Sequence, residues 1–279
     1  MAPRMSNRVL MCEPEYFDVV DVKNEFMRTN VGSVDRLAAA AQWAALREAF
    51  EHNGIAVELV PPVAGCEDMV FTANPCFNGR RANGEPVCVP SRMAFPSRYP
   101  EVDAHREWFA SHGYTIVELP QEVTRCEGGG DAVWHPGRSL IWAGVGQRTE
   151  RRAHDALAAI FGVQVLSLEL ADPRFYHLDT CFCALDERTA LIYPGGFTED
   201  GLRLIRGMFD DVIAVDEEEA RNSFTCNAAA FEGGTVVLQR GAARTAEQLR
   251  RRGYTVVEVE TGEFMKSGGS VFCMKAALY

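Results

Sequence analysis

Residues 52–62 read HNGIAVELVPP, and the arrangement returns at 111–121 (SHGYTIVELPQ), 160–170 (IFGVQVLSLEL), 208–218 (MFDDVIAVDEE) and 251–261 (RRGYTVVEVET). In each, an amphipathic helix stops at a turn and the chain runs into an apolar strand. Recurrence at or slightly beyond a period of roughly 20–50 residues marks a closed or stacked repeat architecture.

The helices ahead of these strands carry apolar residues at helical spacing: Ala39, Trp43, Leu46 and Phe50, then Ala153, Leu157 and Ile160, then Leu202, Ile205 and Phe209. Ser33, Thr149, Thr198 and Thr245 are predicted N-caps, and Gly54, Gly113, Gly162 and Gly253 predicted helix stops. Before each helix the pattern predicts two short strands. The first strands are Met69–Phe77, Asp131–His135, Asp179–Leu185, Phe224–Phe231 and Ser270–Ala276; the second are Pro86–Pro90, Ser139–Ala143, Ala190–Pro194, Thr235–Gln239 and Arg8–Cys12. The unit is therefore ββαβ. The fold class is α/β, a five-bladed propeller of such repeats with pseudo-fivefold symmetry. The fifth unit borrows its second strand, helix and last strand from the N-terminus, so residues 1–279 are expected to form a single domain whose ends share one blade.

The repeats align the unusual residues. Asp68 with Asn74, Glu127 with Asp131, His177 with Asp179, Asn227, and Cys273 lie at or beside the first strand of five successive units. Alone, Cys273 between Phe272 and Met274 reads as a buried small hydrophobe. In a ring of blades, equivalent positions converge on one end of the axis, and Cys, His and Glu together form a covalent-catalysis set.

Composition narrows the function classes. The 279 residues are 47% apolar with a net charge of -11, which argues against a phosphate-binding surface. Arg151-Arg152 and Arg250-Arg251-Arg252 read as solvated helix faces, so no nucleic-acid partner is expected. The N-terminal residues lack a signal-peptide core and no segment is apolar enough to span a membrane, which predicts a cytoplasmic protein with no membrane partner. Nine scattered cysteines predict reduced thiols. EGGGD at 127–131 is followed by a strand, whereas a phosphate loop should open a helix. With no C-x-x-C pair or other ligand spacing, neither metal nor cofactor is expected.

The combination of Phe71-Thr72-Ala73-Asn74, Glu127-Gly128-Gly129-Gly130-Asp131, Gly146-Gln147-Arg148, His177-Leu178-Asp179-Thr180 and Lys266-x-Gly268-Gly269 leading to Cys273 resembles the guanidine-modifying, or amidinotransferase (pentein), superfamily of five-bladed α/β-propellers. The resemblance runs from about Arg8 to the end and is closest to bacterial arginine dihydrolases, which take arginine to ornithine, ammonia and carbon dioxide. In some of these the domain is fused to an ornithine-cyclizing domain.

The resemblance implies Cys273 as nucleophile, His177 as general acid/base and Glu127 as a guanidine- or His-orienting carboxylate. It implies Asp131 and Asp179 around the guanidinium, Arg148 and Arg98 on the substrate carboxylate, Asn24 at the amino-acid end, and Phe71 and Asn74 lining the site. The expected partner is a small guanidinium, arginine or a methylated arginine; a homo-oligomer is compatible with the same reading. A guanidinium is a poor electrophile, so attack needs a sulfur nucleophile and carboxylates that localise its charge; a thiouronium adduct follows.

Asn74 bears on the outcome. Arginine deiminases tend to carry Asp at this place and release citrulline, whereas Asn resembles the dihydrolases; an amide can donate to a neutral ureido oxygen and a carboxylate only accepts. Dimethylarginine dimethylaminohydrolase uses the same Cys, His and Glu, an amidinotransferase would need a second substrate, and ribosome-binding propellers share the architecture without the catalytic set.

Overall fold

In residues 5–279 the computed structural model forms five three-stranded sheets. The chain begins with β1 (Arg8–Cys12), α1 (Arg36–His52) and β2 (Ala56–Val60). The next blade is β3 (Cys76–Arg80), β4 (Pro86–Pro90), α2 (Tyr99–Ser111) and β5 (Thr115–Ile116). A single helical turn, α3 (Gly128–Asp131), leads into β6 (Ala132–Trp134), β7 (Leu140–Val145), α4 (Arg151–Phe161) and β8 (Gln164–Glu169). The fourth blade holds β9 (Phe182–Ala184), β10 (Thr189–Ile192), α5 (Glu199–Met208) and β11 (Asp211–Ala214). After α6 (Glu217–Asn222) come β12 (Ala229–Ala230), β13 (Thr235–Gln239), α7 (Ala243–Arg251) and β14 (Thr255–Val259). Finally α8 (Gly262–Met265) precedes β15 (Ala276–Ala277), which pairs antiparallel with β1 in the register Val9↔Ala277. The two ends of the chain thus share one sheet.

Every blade repeats one topology. The short first strand runs antiparallel to the second, and the second pairs in parallel with the last. Parallel neighbours need a crossover, which the intervening helix supplies while covering one face. The middle strands are buried almost throughout, as in Leu140–Val145 and Thr189–Ile192, so they read as continuous apolar runs rather than alternating ones. Trp43, Leu46 and Phe50 are the buried face of α1. All nine cysteines are buried free thiols.

Two groups of expectations are corrected. The first strands are much shorter than their apolar composition suggests: Met69–Phe77 becomes strand only at Cys76, Phe224–Phe231 only at Ala229–Ala230, and Ser270–Ala276 only at Ala276. The residues before them are turns whose backbone is satisfied locally or by side chains, so no ladder is needed. Thr198 caps its helix as expected, accepting from Gly201 N, but Asp35 caps α1 in place of Ser33. Glu150 replaces Thr149, and Thr245 lies inside α7, whose first amides are capped by Glu219 across from α6. An acceptor from another element can cap a helix, a solution that local sequence does not reveal.

Candidate active site

The turn before each inner strand carries the polar residues to one end of the propeller axis. In α3 the chain makes one helical turn through three glycines. Gly128 takes a left-handed φ of 50°, where a Cβ would lie 2.5 Å from Cys76 O, and a Cβ on Gly130 would lie 2.4 Å from Asn74 Nδ2 and 3.1 Å from His177 Nδ1. The glycines therefore let the Glu127 and Asp131 backbone pass against the Asn74 and His177 side chains. EGGGD makes this one turn and then runs directly into strand β6, as its sequence predicts, rather than opening a longer helix.

Two buried pairs line the site. His177 Nε2 donates to Glu127 Oε2 at 2.8 Å, which leaves Nδ1 as the ring edge free to exchange a proton. Glu127 also accepts from Arg148 Nη1 at 2.9 Å and from Ala94 N. Burial pushes this carboxyl up, but the His177 hydrogen bond and the Arg148 charge win and hold it well below the usual carboxylate range.

Cys273 donates from Sγ to Asp179 Oδ2 at 3.1 Å and receives a hydrogen bond from Asn227 Nδ2 at 3.1 Å. Burial, then the Asp179 charge, pushes the thiol up, so it is neutral when the site holds no cation. Burial likewise raises Asp179 to about 6, and its Oδ1 has no hydrogen-bond partner. Asp131 spends Oδ1 on Leu178 N and leaves Oδ2 unpaired. Unpaired carboxylate oxygens beside a neutral thiol form a pocket that a planar, multiply donating cation would satisfy.

Asn74 is oriented by its neighbours. Its Oδ1 accepts from Arg98 Nη1 at 3.3 Å, which turns Nδ2, a donor without a partner, toward His177. Arg98 is itself held through Nη2 to Glu101 at 2.8 Å and is buried.

A small cavity of about 20 Å³ is lined by Asn24, Phe71, Asn74, Arg98, Arg148, His177 and Cys273. Glu127, Asp131 and Asp179 stand directly behind it through the bonds above. All ten predicted site residues are therefore brought together, and two of them, Asn24 and Arg148, have their polar groups engaged within the protein. Asn24 has both amide groups engaged, Nδ2 with Ser267 O and Oδ1 with Met27 N, as the cap of a short helical turn. Arg148 is sandwiched between the Phe95 and Tyr176 rings, each 4.8 Å away, and donates to Glu127 and Lys23 O.

Tyr176, Lys23 and Asn227, for which no motif predicts a role, also shape the site. Tyr176 precedes His177 and anchors the Gly268 carbonyl at 2.7 Å. Lys23 joins Glu67 and Asp68, at 2.9 and 3.1 Å, and so ties the segment over the cavity to the second blade. Asn227 Oδ1 accepts from both Ser270 N and Cys273 N while its Nδ2 reaches Sγ, so one amide fixes the backbone and the sulfur together. Its place in the repeat register was the available signal.

Residues 13–279 match the family model described as N,N dimethylarginine dimethylhydrolase, eukaryotic. The bifunctional arginine dihydrolase/ornithine cyclodeaminase AgrE of Nostoc sp. is 39% identical over 269 residues, covering 96% of this chain and 37% of that protein. This chain thus spans well under half the length of that relative. The N(G),N(G)-dimethylarginine dimethylaminohydrolase of Mycobacterium tuberculosis is 38% identical over 268 residues, covering 96% of this chain and 84% of that protein. Among solved structures, the substrate-bound N-terminal domain of ArgZ, an arginine dihydrolase from cyanobacteria, superposes with a TM-score of 0.90 at 35% identity, over 96% of this chain and 97% of that one. By its match over residues 13–279 and its likeness to these relatives, the chain belongs to the N,N dimethylarginine dimethylhydrolase family, within the guanidine-modifying superfamily of five-bladed α/β-propellers.

Proposed function

We propose that the protein is an arginine dihydrolase that hydrolyses the guanidinium of arginine twice, giving ornithine, ammonia and carbon dioxide. The observation that carries this reading is Asn74: Arg98 occupies its oxygen, so its unpartnered N–H is turned into the site as a donor. A carboxylate there could hold only a cation, whereas the amide can also hold the neutral ureido oxygen through a second round.

In the first round, Asp131 and Asp179 take the guanidinium, whose charge favours the Cys273 thiolate, the thiol proton passing to His177. Sγ adds to the central carbon, and His177 protonates the departing nitrogen, which leaves as ammonia and yields a thiouronium. The same His177, oriented by Glu127, takes a proton from water as its oxygen attacks that carbon. The C–S bond then breaks and returns Cys273, leaving the ureido group. In the second round Cys273 adds to the ureido carbon and a second ammonia leaves, giving an S-carbamoyl adduct; water then cleaves the C–S bond, returning Cys273 and leaving a carbamate on the ornithine nitrogen, which loses carbon dioxide. Arg148 and Asn24 are assigned to the amino-acid end, and engaging substrate there requires them to exchange their present partners. Nothing in this chemistry calls for a metal or cofactor.

The family model and the Mycobacterium relative favour a second reading, a dimethylarginine dimethylaminohydrolase that stops at citrulline. Mass spectrometry of products from arginine and from methylated arginines separates them. Ornithine from arginine supports the dihydrolase; citrulline as the end product from either substrate overturns it. Cys273→Ser should abolish turnover while retaining arginine binding, and full turnover in that variant would remove covalent catalysis.

A further inference from the structure

Each inner strand starts at the catalytic end and runs away from it, and residues one to five positions beyond the site residues line a second cavity of about 80 Å³. Ala132, Ala184, Ala230 and Ala277 stand on these strands, and their small side chains leave the axis open. Its walls are mainly apolar, yet the lining holds one lysine ammonium with no hydrogen-bond or ion-pair partner and one buried amide oxygen without a partner. Lys275 is 7% exposed, its Nζ lies 3.6 Å from the Phe272 ring centroid, and among the described residues Nζ has no ion-pair or hydrogen-bond partner. Asn78 donates through Nδ2 to Ala277 O but leaves Oδ1 unpartnered.

We propose that this axial cavity is a binding site for a small oxyanion that also carries one O–H, of which hydrogencarbonate is the type: the charged oxygens accept from Lys275 Nζ and the O–H donates to Asn78 Oδ1. An ammonium met only by the Phe272 ring face and a buried carbonyl oxygen left unpaired are each costly, and one ligand of this chemistry satisfies both. Burial brings the Lys275 ammonium down to about 8, a deficit that a bound anion would offset. Acetate offers only the acceptor half and should bind more weakly. The inference uses no catalytic residue and stands whichever guanidine is the substrate.

The test is ¹³C NMR titration of ¹³C-hydrogencarbonate against the intact protein at fixed pH and ionic strength, with acetate and chloride as competitors. Saturable binding is expected that acetate and chloride displace only weakly, and that is weakened about tenfold to a hundredfold in Lys275→Met, the loss of one charge-assisted hydrogen bond. Should that variant fail to fold, Ala230→Leu fills the cavity with the lysine in place and is read the same way. Absence of saturable binding, equal competition by chloride, or unchanged affinity in the folded variant overturns the proposal.

Discussion

Asp179→Asn should make the protein more stable and less active, and the stability gain should depend on pH. Asp179 is wholly buried, has one unpartnered oxygen, and burial raises it from an ordinary 3.8 to about 6, with His177 opposing. For an acid whose folded value is raised, the penalty is absent below about 3.8, grows as pH rises through that window, and is fully developed above about 6. At about 1.4 kcal/mol per unit, the ceiling is about 3 kcal/mol at pH 7.5. The amide removes the charge and keeps an oxygen to accept from Cys273. Urea denaturation of both proteins at pH 7.5 and pH 4, compared at equal slopes, reads the effect. A gain of one to three kcal/mol at pH 7.5 that shrinks toward pH 4 is expected by this reasoning, roughly. Turnover should fall by at least about a hundredfold, because the carboxylate that meets the guanidinium is gone. A variant equally or less stable than wild type at pH 7.5, or a gain independent of pH, would refute the account of Asp179 as a strained charge awaiting a cation.

Glu127→Gln should cost about 3–5 kcal/mol at neutral pH in denaturant titration, since it leaves the buried Arg148 guanidinium without its counter-charge. Because the folded Glu127 is held low, that contribution is present above the unfolded value of 4.5 and should fade as pH falls below it. Gly130→Ala places a methyl 2.4 Å from Asn74 Nδ2, so kcat should drop sharply while circular dichroism of the folded protein is preserved. Asn74→Asp sets a carboxylate against Arg98; product analysis should show citrulline accumulating at the expense of ornithine.

What the sequence revealed follows from which forces leave a periodic trace. The outer parts of each blade were legible because α1 or α5 must present a stripe at 3.6-residue spacing to a sheet whose middle strand is largely buried and apolar. The inner strands were not: Val271 and Phe272 look like strand, yet the Asn227 side chain binds Ser270 N and Cys273 N and holds the segment as turns. Side-chain acceptors of this kind act across the chain and have no period. The same applies to Glu219 capping α7 and to Arg148, whose stacking between Phe95 and Tyr176 depends on three distant segments. Repeat register found the converging residues because equivalence around a ring is a property of order along the chain; which partner each group takes there is set by tertiary packing.

The sheet formed by β15, β1 and β2 gives the nucleophile an unusual dependence. Cys273 lies three residues before β15, a strand of only two residues whose register is set by β1 at the opposite end of the chain. Closing so long a loop is entropically costly and comes late in folding, whereas each helix and its parallel strands form from nearby residues. The thiol should therefore be aligned only after the other blades exist, and fraying of β15 alone should abolish catalysis while most secondary structure persists. Activity in this architecture is a report on whether the ring is closed.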